Sequence, residues 1–206
     1  MKKKKLFIVV AGCLALIFVA SSLFMACAPK PTPTPAKTLK IGAIYSLTGD
    51  MSTIEILMRN GAVLCQEWIN EKGGITINGE KYLIELIIED TKSTADGAVA
   101  AATKLVAQDQ VKFIIGLVRP DMSIAVASVT EPAKVLRSLD WDGIPATINP
   151  DTPYTFRPVL AGAEMIPVNY DYLVETYPDV KAVALANPDE PGGQFFQVVS
   201  KQVAEA

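Results

Sequence analysis

The 206-residue sequence contains no histidine. That absence removes Ser-His-Asp and Cys-His catalysis, histidine metal ligation and a histidine pH switch together. Cysteine is nearly as scarce, at three, and aromatic residues make up only 7% of the chain. Positive charge is also short: 19 Lys and Arg stand against 22 Asp and Glu, with no basic tract beyond Lys2–Lys5. A nucleic-acid partner is therefore not expected. Half of the residues are apolar, enough for a buried core in one or two domains at this length.

Part of that apolar content sits at the N-terminus. Lys2–Lys5 form a positive region, Leu6–Ala20 an apolar run, and Ser21-Ser22-Leu23-Phe24-Met25-Ala26-Cys27 follows. A basic start, an apolar stretch of this length and a small residue before the cut predict a secretory signal over residues 1–26. The order Leu-Phe-Met-Ala-Cys is similar to a bacterial lipobox, although Leu23 is one place early and Phe24 stands where an aliphatic residue is usual. Cys27 is accordingly the expected acylated N-terminus, with its lipid as the link to a membrane. An uncleaved anchor competes, because Leu6–Ala26 is long enough to span a bilayer. The Pro/Thr-rich residues 27–38 predict an extended, semi-rigid tether, which suits a lipid anchor. Either way the body lies outside the cytoplasm. With Cys13 in the signal and Cys27 acylated, only Cys65 remains, so no internal disulfide is expected. The first 26 residues hold four of the basic residues and none of the acidic ones, which leaves the rest at −7.

From Leu39 onward the pattern alternates. Leu39–Tyr45 predicts a strand, and residues 53–72 a helix whose Leu57, Gly61, Leu64, Cys65, Trp68 and Ile69 share one core-facing side. Gly73-Gly74 stops it. Ile75–Ile77, Asn78-Gly79 and Lys81–Glu89 predict a hairpin with a type I′ turn leading into a second sheet strand. Further helices are expected over 95–108, 123–131, around Ile166–Tyr177 and from Gln194, with strands at 111–117, 135–139 and 181–186. Residues 140–158 read as irregular. Apolar strands separated by helices predict an α/β fold with a parallel sheet covered on both faces. Ligands bind outside the carboxyl ends of such strands, which carry residues 46–52, 117–123, 140–143 and 187–194.

The chemistry on offer is sparse. Ser46–Asp50 has neither G-x-G-x-x-G nor Walker spacing, so no dinucleotide is expected, and neither a metal nor another cofactor is expected. Cys65 reads as a core cysteine rather than a nucleophile, and Glu89-Asp90 as a strand end rather than a cation site. Ser123, near Arg119 and Asp121, either holds a ligand carboxylate beside free helix amides or merely caps its helix. Trp141 either stacks on a ligand or plugs an edge. An enzyme would need a carboxylate pair or a serine–lysine arrangement, and no spacing proposes one.

Several segments in combination carry a family resemblance: Ile41-Gly42-Ala43-Ile44-Tyr45-Ser46-Leu47-Thr48-Gly49, Gly61-Ala62 through Ile69-Asn70-Glu71-Lys72-Gly73-Gly74-Ile75, and Asn78-Gly79 through Glu89-Asp90. Ala100–Val106, Phe113–Gly116 and Tyr154–Pro158 extend it. The run from Leu39 to Gln197 resembles the branched-chain amino-acid type of substrate-binding protein, the receptor subunit of ABC importers with the type I periplasmic-binding fold. The resemblance implies a parallel α/β sandwich of two lobes, the first at 39–158 and the second begun at 159–206, so the chain reads as a fragment or truncated product. It implies an extracytoplasmic solute-binding lipoprotein, not an enzyme, with ABC permease subunits as partners. The alternative is a sensing or interaction module of the same fold. By position, the first-lobe loops that hold a ligand carboxylate in this family correspond to Ser46, Thr48, Met51, Ser52, Asp121, Met122, Ser123 and Trp141. The sequence departs from the family after Gly116 (Leu-Val-Arg-Pro-Asp-Met-Ser), at Asp140-Trp141-Asp142-Gly143 and at Asp189-Glu190-Pro191-Gly192-Gly193. A branched-chain amino acid is therefore the default ligand, and another small carboxylate, amide or aromatic acid is nearly as good a fit.

Overall fold

The computed structural model describes residues 36–142 and 144–205. The expected signal, Cys27 and the tether up to residue 35 lie outside the described residues.

The central strand, β1 (Lys37–Tyr45), begins two residues before the expected start of the first lobe. After it come α1 (Ser52–Glu71), β2 (Ile75–Ile77), β3 (Glu80–Asp90), α2 (Ala95–Ala107), β4 (Phe113–Gly116), α3 (Pro120–Thr130) and β5 (Leu136–Leu139). Then follow β6 (Thr155–Phe156), α4 (Gly162–Thr176) and α5 (Pro191–Ala204). The sheet order is β2-β3-β1-β4-β5-β6. Every pair is parallel except β2 with β3. The chain leaves β1 toward β3 on one side, then crosses to β4 on the other. Buried between two neighbours, β1 carries the continuous apolar run typical of an inner parallel strand. The β2–β3 turn has positive φ at both Asn78 (50°) and Gly79 (84°), as a type I′ turn requires.

The main core lies on the sheet face that carries α2 and α3. Ile44 and Ile114 from the sheet meet Ala98, Ala102 and Leu105 of α2 and Met122 and Val126 of α3, all fully or almost fully buried. Small side chains on α2 let it approach closely. A Cβ on Gly42 would come within 2.9 Å of Leu105 Cδ1. Arg137 is fully buried in β5 and bridges elements: its Nη1 donates to Ser123 O at 2.6 Å and its Nη2 to Thr155 Oγ1 at 2.9 Å. Burial pushes its guanidinium down to about 10.

Four expectations are corrected. The helix expected from Ser123 begins at Pro120, because Pro at the first helical position has φ preset and no N–H to leave unsatisfied. The α1 stripe expected to face the core is exposed, with Leu57 at 69% and Leu64 at 66%, and Cys65 is exposed rather than buried. Instead α1 turns polar groups to the β3 edge beyond the end of β2. Asn70 exchanges two 2.8 Å hydrogen bonds with the Ile84 backbone, and Gln66 Oε1 accepts from Leu86 N at 2.7 Å. Those bonds satisfy an otherwise open edge. Residues 181–186 pair with no strand among the described residues and stay exposed. Within the stretch expected to be irregular, β6 forms by pairing with β5.

Candidate functional site

In an open parallel sheet, the crevice for a ligand lies where strand order reverses, outside the carboxyl ends. Here that point falls between β1 and β4. A cavity of about 600 Å³ sits there, within the usual range for small-molecule sites. The loop after β1 contributes Asp50 and Met51, and the loop after β4 contributes Val118, Arg119 and Pro120. The loop after β5 adds Trp141, Asp142 and Ile144, and residues 187–193 with Phe196 close the far side. The start of α5 meets the start of α3 directly: a Cβ on Gly192 would lie 3.4 Å from Pro120 Cγ. An apolar cavity of about 340 Å³, lined by Leu160 and Met165 and sharing Trp141 and Phe196 with it, adjoins it.

Of the residues singled out in the sequence, Met51 and Trp141 line this cavity, whereas Ser46, Thr48, Ser52, Asp121, Met122 and Ser123 do not. The hydroxyls have partners within the chain. Ser46 Oγ pairs with Thr91 Oγ1 at 2.7 Å, Thr48 Oγ1 donates to Asp90 Oδ2 at 2.7 Å, and Ser52 Oγ donates to Gly49 O at 2.8 Å. Together with Ser93 Oγ, which donates to Thr48 O and accepts from Met51 N, they staple the loop after β1 to the loop after β3. Asp90 anchors this staple. Burial alone would raise its carboxyl, but hydrogen bonds from Lys92 N, Thr48 Oγ1 and the amides of Leu47 and Thr48 hold it below the usual range. Met122 is a core residue of α3. Ser123 is fully buried inside the helix, its N–H bonded to Arg119 O at 3.0 Å, so it does not cap α3.

In the sequence Arg119 and Asp121 stand out as neighbours of Ser123, and Asp142 and Glu190 only as departures from the family pattern; Arg119, Asp142 and Glu190 line the cavity. Arg119 occupies the N-cap position of α3 and forms a two-pronged pair with Asp121, Nε to Oδ1 at 3.0 Å and Nη2 to Oδ2 at 2.6 Å. Asp50 Oδ2 lies 3.6 Å from its Nη1. Glu190 caps α5 by accepting from Gly193 N at 3.0 Å and Gly192 N at 3.2 Å. Asp142 is 1% exposed, and one of its oxygens, Oδ1, accepts from Ile144 N at 3.2 Å. Burial pushes its carboxyl up, while the Ile144 amide, the Thr147 and Ser123 hydroxyls and Arg137 pull the other way. Even so, neither Asp142 Oδ2 nor Ser123 Oγ makes a hydrogen bond of full geometry.

Behind the cavity lies a second acidic group. Glu55 is fully buried and accepts from Ser46 N at 2.6 Å, but its Oε1 has no partner. Desolvation raises its carboxyl, the Ser46 bonds and Arg119 lower it, and nearby Asp140 adds to the rise. Asp140 is raised by burial against a hydrogen bond from the Tyr45 hydroxyl, and Tyr45 is itself pushed far up, by burial first and then by Asp140. The only sign of these groups in the sequence is acids placed at strand and helix ends.

Residues 38–206 match the family model described as periplasmic binding protein. A leucine-, isoleucine-, valine-, threonine- and alanine-binding protein of Pseudomonas aeruginosa is 28% identical over 83% of this chain and 44% of its own length. A Leu/Ile/Val-binding protein of Rhizobium johnstonii is 36% identical over 50% of the chain and 27% of its own length. Among solved structures, an ABC-transporter solute-binding protein of Rhodopseudomonas palustris in complex with 3,4-dihydroxybenzoic acid superposes with a TM-score of 0.70 at 24% identity. That match covers 82% of this chain and 44% of the other. A leucine-binding protein of Thermotoga maritima gives 0.69 at 20% identity, over 81% and 45%. The chain thus spans less than half the length of these relatives, and the structural matches bear out the type I α/β fold expected of it.

Proposed function

We propose, given that the chain belongs to the periplasmic binding protein family, that it is the solute-binding component of an ABC importer. In this reading it is exported on the signal at residues 1–26, anchored through acylated Cys27 and extended on the tether at 27–38. Residues 39–158 form its first lobe and residues 159–206 open its second. It takes a small amino acid, amide or aromatic acid into the cavity without altering it covalently, and hands it to permease subunits. The observation that carries this reading is the position of the cavity. Three strand-end loops of one sheet and one loop from the following segment converge on about 600 Å³ at the point where strand order reverses. The relatives support a solute-binding role rather than catalysis: one is an amino-acid-binding protein, and another holds 3,4-dihydroxybenzoic acid.

A thermal-shift screen of the full chain against amino acids, amides and aromatic acids tests it. A ligand at about 100 times its Kd stabilises the folded state by about 2.7 kcal/mol, enough for a clear rise in Tm. No rise with any ligand, or chemical conversion of one that binds, would overturn the reading. Fatty-acid labelling that marks the wild type and spares Cys27→Ser supports the anchor, and equal labelling of both removes it.

A further inference from the structure

The apolar cavity of about 340 Å³ has no part in the reading above. Pro158, Val159 and Leu160, from the crossover between β6 and α4, line it together with Met165, Phe196 and Trp141. None of these side chains is charged, and apart from the Trp141 N–H none donates a hydrogen bond. A water held in a cavity needs about two to four polar partners, whereas an apolar cavity of about 150 Å³ already takes a benzene ring. Trp141 is 50% exposed and Leu160 63%, so apolar surface stands open to an incoming group. Trp141 and Phe196 line the solute cavity too, so one ligand can reach both spaces. The shape of the smaller space depends on Gly162, the first residue of α4. A Cβ there would come within 2.8 Å of Phe196 Cε1, 2.9 Å of its Cζ and 3.0 Å of Phe195 Cε1. The Gly162 backbone is outside the left-handed region, so the glycine serves the position of the rings rather than the chain conformation. The two rings meet edge to face with centroids 5.8 Å apart.

We infer that this second cavity seats an apolar arm of the solute, a phenyl ring or branched alkyl group carried on two or more methylenes, while the polar head stays in the larger cavity. The solute class is then arylalkyl or long-chain alkyl acids, amides or amino acids, rather than a compact molecule such as alanine or benzoate. Gly162 is the specificity-determining residue, because a side chain there would displace the Phe196 ring that lines both spaces. The inference rests on the reading of the larger cavity as the solute site and narrows the class of solute it takes. Each methylene of the arm that leaves water for the cavity raises affinity about fourfold.

Titration calorimetry of the full chain at pH 7 with two graded series reads the arm directly: benzoate, 3-phenylpropanoate and 4-phenylbutanoate, and L-alanine, L-leucine and L-homophenylalanine. L-Citrulline, of similar length to homophenylalanine but polar at its end, separates burial from reach. In whichever series binds, the longest member should bind at least tenfold more tightly than the shortest. Where the amino acids bind, citrulline should be at least tenfold weaker than homophenylalanine. Gly162→Ala forces the Phe196 ring to move and should cut the long-to-short ratio at least threefold. Should that variant fail to fold, Leu160→Asn at an exposed position keeps the test open, with the same threefold cut expected. A smaller rise along the series, a smaller deficit for citrulline or a smaller cut in the folded variant overturns the inference and leaves solute binding standing. Binding of none of the seven compounds overturns both.

Discussion

Residues 37–156 form six strands and three helices, whereas residues 162–204 form two helices, and the two regions differ in what they bury. The first region holds the whole main core, from Ile44 to Leu139. In the second, α4 and α5 pack on each other around Gly162, where a Cβ would lie 2.8 Å from Phe196, and on no sheet of their own among the described residues. Only Ala161, Ile166 and a few small or polar residues are buried there, while Val168, Tyr172, Val174, Val183 and Val198 are exposed. The cavity therefore has two unequal walls. One is a strand-end edge fixed by the core, and the other is a loop and helix start that meets α3 at Pro120.

The sharpest way to break this comparison is to cut into both regions. Leu105→Ala removes a fully buried side chain at the centre of the core and should cost about 2–5 kcal/mol. Leu173→Ala in α4, a position that is not fully buried, should cost roughly 1 kcal/mol or less. Urea unfolding of the two variants measures the difference. Equal losses would mean that the second region is as tightly packed in solution as the first.

A subtler test uses pH, because the acids around the cavity oppose one another. Glu55, Asp140 and Asp142 are raised in the folded state, so each adds stability that is fully present below the ordinary carboxylate range and lost as pH rises through its raised value. Asp90 is lowered, so its contribution is present above that range and lost as pH falls through its folded value. Between pH 7 and pH 5 the three raised acids govern, and stability should increase on acidification. Glu55→Gln keeps an acceptor for Ser46 N and removes the buried charge. It should stabilise the chain by on the order of 1 kcal/mol at pH 7, with the gap closing toward pH 4. Thermal melts of both proteins across that range provide the measurement. A wild type that loses stability steadily from pH 7 to pH 5 would contradict the assignment.

These contrasts also explain what the sequence could show. Periodicity located every long element, because parallel strands buried on both sides and helices with caps leave strong local signals. It also pointed to the four loops that line the cavity. Within those loops, the family resemblance implied hydroxyls as ligand groups, and the fold uses them otherwise. Ser46, Thr48 and Ser52 sit at the expected edge, but Asp90, Thr91 and Gly49 engage them there. That use depends on the register that sets Tyr45 beside Asp90, 45 positions later, which no local pattern reveals. Likewise, Ser123 reads as a cap only if the helix begins with it, and Pro120 moves the start three residues earlier. Arg137 gives no local sign that a fully buried guanidinium will bridge α3 and β6.

The α1 stripe is the clearest case, and it supplies the smallest expected effect. Leu57, Leu64, Cys65 and Trp68 recur at helical spacing, which marks an apolar face without saying what that face meets. In the structure the side toward β3 carries Gln66 and Asn70, because an open strand edge needs hydrogen-bond partners more than it needs methyl groups. Leu64 is 66% exposed, and Leu and Gln have similar helix propensity. Leu64→Gln should therefore change unfolding free energy by about 0.5 kcal/mol or less. Trp68 is a poorer probe, since Lys72 Nζ lies 3.4 Å from its ring centroid and the substitution would remove that contact too. Measured by urea titration at two protein concentrations, a loss above about 2 kcal/mol would be the cost of a buried leucine. Such a loss would mean that the stripe is covered in solution, and a dependence on protein concentration would identify a second copy of the chain as the cover.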